Sequence, residues 1–125
     1  KNLHLEGFQD QKKYMEKCAI FLLPSRYDSG PTVVLDAMQA GVIPIISSAC
    51  GGSPIVKKIN SPYVIDSFNP KEYSKELQKF FLLNLRERKI LSDKFKKEGK
   101  NYLAINKKDN SLKKSFEKLL LRLKK

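Results

Sequence analysis

Two short apolar runs, AIFLL at residues 19–23 and IPIIS at 43–47, bracket a stretch of helical pattern that opens at a Gly-Pro and stops at a Gly. Few folds accommodate that order. Each run is continuous instead of alternating, so each is expected to be a strand covered on both faces, as the strands of parallel sheets are. Parallel neighbours cannot be joined by a tight turn, and a helix from about Pro31 to Ala40, ended by Gly41 at its C′ position, supplies the crossover.

The same alternation extends in both directions. Leu3 to Glu6 reads as a strand and Asp10 to Lys17 as a helix; after the loop SACGGSP, a turn of helix covers Ile55 to Lys58 and YVI at 63–65 offers a short last strand. Beyond it the apolar period changes from two to 3.6. Asn69-Pro70 opens a helix carrying Tyr73, Leu77, Phe80 and Phe81, a second carries Ile90, Leu91 and Phe95 to a stop at Gly99, and a third starts at Ser111 with Leu112, Phe116, Leu119, Leu120 and Leu123 on one face. The pattern predicts an α/β fold: a Rossmann-like, partial doubly wound parallel sheet of about four strands over residues 1–68, with 69–125 a helical extension of the same domain.

Composition removes several function classes. With 125 residues the chain is one domain, and no apolar run approaches the roughly eighteen residues that a bilayer span requires. Cys18 and Cys50 follow no metal-ligand spacing and could form at most one disulfide, so a reducing cytoplasm is the default setting. The sole histidine, His4, lies in the apolar stretch LHL and reads as a strand residue, so no Cys/His metal site can be assembled. The net charge of +12 is concentrated at the back, where residues 86–125 hold fifteen Lys/Arg against five Asp/Glu. Such a face meets nucleic acid or anionic lipid in some proteins, but no aromatic-rich RNA-binding motif accompanies it, and nucleic acid is not an expected partner.

The stretch DSGPTVVLD sets Asp28 and Asp36 on either side of that Gly-Pro. With Gly30 as N-cap and Pro31 as first helical residue, the N–H groups of Thr32 and Val33 lack partners within the helix and favour an anion such as phosphate. Asp36 lies four residues beyond Thr32 and leans toward the same helix end. The other positions are apolar and would bury the helix nearly all round, so its carboxylate needs donors such as sugar or ribose hydroxyls. Spacing alone leaves a second reading open, in which Asp28 only makes a turn with Ser29-Gly30 and Asp36 is a solvated edge residue.

Taken together, FLLPSRYDSGPTVVLDAMQAGVIPIISSACGGSP resembles the donor-binding segment of GT-B glycosyltransferases, specifically the retaining family 4 type of group 1. That family typically shows a strand ending in Pro-Ser, then Glu, seven residues, Glu-Ala-Met, a Gly before a Pro-containing strand, and a Gly-Gly loop. Pro24, Ser25, Asp28, Asp36, Ala37, Met38, Gly41, Pro44, Gly51 and Gly52 stand at those places. The match covers about residues 3–66 and departs from the pattern in carrying Asp at both acidic positions. The Glu that commonly follows the GG-x-P segment is missing too, and the family's diphosphate-neutralising Arg and Lys lie upstream of the point, about the third strand, where this chain begins.

The resemblance implies a nucleotide-sugar site in which Asp28, Ser29, Gly30 and Pro31 meet the donor sugar, Thr32 and Val33 the diphosphate, and Asp36 the ribose diol. Ser25, Arg26, Gly51 and Gly52 would line the loops. It further implies a glycan or lipid-linked acceptor, a missing N-terminal GT-B domain, no cofactor and no metal, and a catalytically inactive piece of an active parent enzyme. Bacterial polysaccharide synthesis in the cytoplasm, with peripheral contact at the anionic inner face of the plasma membrane, is what the family suggests. A GT-B epimerase and a non-catalytic binding module are the alternatives.

Overall fold

The computed structural model describes residues 3–108, 114 and 117–121. It is a mixed α/β fold whose elements follow in the order α1 (Gln11–Met15), β1 (Ile20–Leu23), α2 (Thr32–Ala40), β2 (Ile43–Ser47), α3 (Ser53–Ile59), β3 (Val64–Ile65), α4 (Pro70–Leu82) and α5 (Leu85–Lys108). The strands form one parallel sheet in chain order, with Ile20 opposite Ile43, Leu23 opposite Ile46, and Ser47 opposite Ile65.

The central strand behaves as its sequence demands: every residue of β2 is buried. The edge strand β1 is less covered than expected, because Leu22 is 41% exposed. A larger departure concerns Leu3 to Glu6, which joins no strand ladder, so the sheet has three strands among the described residues where the sequence suggested four. Alternating apolar residues show a capacity to form a strand; the ladder also needs an adjacent edge, and His4 is therefore an exposed residue outside the sheet.

Helix α2 starts one residue later than the Gly-Pro suggested, with Pro31 as N-cap and its carbonyl accepting from the Leu35 N–H. It ends at Gly41, whose φ of 80° is open to glycine at little cost. Nor is α2 buried all round: Val34, Leu35, Ala37 and Met38 enter the core, while Thr32, Asp36 and Ala40 form an exposed stripe at four-residue spacing.

The two long helices close the core. Asn69 caps α4 by accepting from the Lys71 N–H, and Tyr73 and Phe80 point inward, whereas Phe81 is 62% exposed instead of joining them. Asn84 and Glu87 cap α5 reciprocally, each side chain accepting from the other's backbone N–H. Phe95 of α5 is fully buried and stacks on Tyr63, ring centres 6.3 Å apart. The expected partner of Phe95 on this helix, Ile90, lies in solvent.

Gly99 does not stop the helix. The backbone runs through it to Lys108, and a Cβ there would stand 3.0 Å from Cβ of Met38. Glycine serves here as the point where α5 lies against α2, and Ser92 Oγ donates to the Gly41 carbonyl nearby. The helix expected from Ser111 falls largely outside the described residues.

Two measurements test this packing. Gly99→Leu should lower stability by about 1–3 kcal/mol in urea unfolding, because it overpacks the α2–α5 contact; a helix end at Gly99 would predict no such loss. Burial, aided by Glu76, pushes the Tyr63 hydroxyl above its ordinary pKa, and burial with smaller help from Cys50 and Glu72 does so for Tyr73. A raised folded-state pKa means that stability is intact below the unfolded value near 10 and falls as pH rises past it. Spectrophotometric titration should accordingly find two of the five tyrosines ionising later than the rest.

Candidate functional site

The loops after β1 and β2 meet at the carboxyl ends of their strands, where ligands of open α/β sheets bind. Asp28 is their junction. Its N–H donates to the Ala49 carbonyl, its carbonyl accepts from the Gly51 N–H at 2.7 Å, and the two contacts make an isolated parallel bridge between Asp28 and Cys50. The Asp28 side chain is half-buried, and its Oδ1 accepts from the Gly30 N–H at 3.1 Å. This turn uses one carboxylate oxygen.

Gly51 is required by this junction, since a Cβ would come within 2.6 Å of the Ser29 carbonyl oxygen. Gly52 is equally constrained: it is buried as the N-cap of α3, and a Cβ would meet the Val34 side chain of α2 at 2.9 Å. The pair of glycines thus brings the second loop against both the first loop and the helix that follows it.

Two further side chains build the junction, and they were not singled out from the sequence. Ser47, a polar side chain in an otherwise apolar buried strand, donates its Oγ hydrogen to the Ser25 carbonyl. Cys50 is buried, with Sγ 3.7 Å from the Leu23 carbonyl, while Cys18 is exposed; both thiols are free. A hydroxyl at the end of an otherwise apolar buried run has to find a partner, and that requirement was the available signal for Ser47.

The site residues then fall into place by exposure. Ser29, Thr32 and Asp36 are exposed; Gly30, Pro31 and Val33 are partly covered. Among the described residues Asp36 has no hydrogen-bond partner, and no side chain caps the N-terminus of α2, so the first N–H groups of that helix remain available. Arg26 is exposed, its guanidinium carbon 5.8 Å from the centre of the Phe68 ring. Both residues line a hollow of about 440 Å³ beside the loop, with Leu22, Pro24, Tyr73 and Leu77. A second hollow, about 420 Å³, lies between Tyr63, Leu83 and Ile90 and includes none of these residues.

A parallel sheet covered by helices, with paired loops at its carboxyl edge, is a Rossmann-like arrangement. The chain belongs to the family described as "Glycosyl transferases group 1", whose model matches residues 1–102. No curated protein and no solved structure gives a significant match.

Gly51→Ala should separate the two loops and destabilise the fold by about 1–3 kcal/mol, since the contact it forces is with backbone that has little room to yield. Chemical denaturation reads the loss, and wild-type stability in this variant would show that the loops do not pack as described.

Proposed function

We propose that this chain is the donor-binding part of a retaining, family 4 type glycosyltransferase. The parent enzyme would move a sugar from a nucleoside-diphosphate donor to a glycan or lipid-linked acceptor. The observation that carries the reading is the pairing at one end of α2: Asp28 fixed by the β-loop junction, and Asp36 on the exposed stripe behind it.

In this reading Asp28, with Ser29, Gly30 and Pro31, meets the hydroxyls of the donor sugar. The N–H groups of Thr32 and Val33 face the diphosphate, where the positive end of the helix dipole favours anionic oxygens. Asp36 accepts from the ribose diol. Ser25 and Arg26 on one side and Gly51 and Gly52 on the other wall the cleft. The acids position the donor; they are not an acid/base couple. In this reading the residues named here hold the donor, and departure of the diphosphate calls for cations placed at its developing charge.

The Asp-x7-Asp pattern bears on specificity. Each Asp is one methylene shorter than the family's usual Glu, so both hydrogen-bonding ends draw back toward the backbone. Ligand atoms must approach the backbone more closely, or a different sugar must fill the gap. The setting suggested by the family is the cytoplasmic side of a bacterial polysaccharide pathway.

The test is a panel of nucleotide sugars titrated calorimetrically against the full-length protein. Asp36→Ala should weaken the bound donor about tenfold or more, the loss expected for hydrogen bonds to a charged acceptor. Asp28→Ala should act on sugar choice as well as affinity. Unchanged donor affinity in Asp36→Ala would remove the ribose role, and binding of no nucleotide sugar would favour a non-catalytic module.

A further inference from the structure

The hollow of about 420 Å³ where α4 and α5 meet Tyr63 lies at the amino ends of the strands, since Tyr63 directly precedes β3. That is the edge of the sheet opposite Asp28. Its volume is that of a small-molecule site, roughly 300–1,000 Å³. Leu83 and Leu91 give it apolar walls, with Ile90, 53% exposed, at the rim, while Tyr63, Glu76 and Glu87 supply polar groups.

Tyr63 is the unusual member of this set. Only 4% of its surface is exposed, and its ring stacks on Phe95. Its hydroxyl nevertheless has no hydrogen-bond partner among the described residues, whereas the similarly buried Tyr73 donates its own to the Ser67 carbonyl. Among those residues no fully covered side-chain oxygen or nitrogen lacks a partner. The Tyr63 hydroxyl is therefore an uncovered part of the residue, and the hollow is the space it opens into. A donor left open between apolar walls is a place for an acceptor on a ligand.

The charges narrow the class of ligand. Glu76 is mostly covered, with Oε1 2.7 Å from Lys79 Nζ, and Glu87 Oε2 accepts from the Asn84 N–H. Lys94 is exposed and completes a lining of two carboxylates and two ammonium groups. A charged ligand would lose water there without gaining a counter-ion of its own. A hydroxylated one fits, because its oxygens accept from Tyr63 and its hydroxyls donate to a carboxylate in a charge-assisted bond. Glu76 stands close enough to Tyr63 for its charge to add to burial in raising the hydroxyl's pKa. Hydroxyls combined with an apolar C–H face are the character of a pyranose ring.

We infer that this hollow binds a sugar unit of a neutral glycan, with Tyr63 donating to a sugar oxygen, Glu76 accepting from a hydroxyl, and Leu83, Ile90 and Leu91 against the C–H face. The choice of a glycan among hydroxylated ligands rests on the glycosyl transfer proposed above; the site itself does not. Lying at the edge opposite Asp28, it holds a glycan without taking part in the transfer.

The experiment titrates maltotetraose, cellotetraose and chitotetraose separately into the full-length protein by calorimetry, with saturation-transfer NMR as a second readout. At least one should bind. Tyr63→Phe should weaken that binding by about threefold to tenfold, the loss of one hydrogen bond, and leave thermal stability unchanged because the hydroxyl has no bond within the protein to lose. Ile90→Arg, at an exposed position, should obstruct the hollow and abolish binding. Nucleotide-sugar affinity should be the same in both variants. No binding of any of the three glycans at about 10 mM, or binding indifferent to both substitutions, overturns the site. Nucleotide-sugar binding without glycan binding sinks this inference alone, whereas glycan binding that depends on Tyr63 with no nucleotide sugar bound sinks the donor reading and keeps the site.

Discussion

The hydrogen bond from the Gly51 N–H to the Asp28 carbonyl ties together two loops that leave adjacent strands, and the rest of the site is arranged around it. Without it Asp28 would be held in the eight-residue loop between β1 and α2 mainly by its N–H bond to the Ala49 carbonyl. With it, the carboxylate is part of the sheet's edge. Ser47 and Cys50 reinforce the same junction from below by engaging the Ser25 and Leu23 carbonyls, so a buried hydroxyl and a buried thiol do their work as partners of loop backbone. A binding residue held by backbone pairing loses less freedom when a ligand arrives than one on a mobile loop, and it can hold a narrower range of geometries.

Much of this was legible in the sequence because the strongest signals lay where the packing is densest. The apolar run at 43–47 became a wholly buried strand, Gly41 ended α2 in the left-handed conformation, and four-residue spacing placed Thr32 and Asp36 on one stripe. What failed to show were relations between distant segments. Leu3 to Glu6 has the alternation of a strand, yet pairing depends on an edge that alternation cannot reveal. Gly99 has the composition of a helix stop, yet its meaning lies in Met38, sixty-one positions earlier. The junction role of Gly51 is likewise invisible until Ser29 is seen against it.

The acidic pair shows the same division at smaller scale. Spacing gave the stripe that Asp36 shares with Thr32. The turn that commits one Asp28 oxygen to the Gly30 N–H comes from a backbone path that spacing does not encode. The turn reading and the binding reading of Asp28 are thus not exclusive, since the turn engages one of its two carboxylate oxygens.

The contact of α5 with the rear of α2 carries a consequence for how such a site is placed. Ser92 and Gly99 seat the carboxyl half of α2 at Gly41 and Met38, while its amino end follows directly on the loop that carries Asp28. Nine helical residues make a rod of roughly 13 Å. Side chains of α5 that touch its carboxyl end therefore share in fixing where its amino end lies, although they stand a helix length away from it.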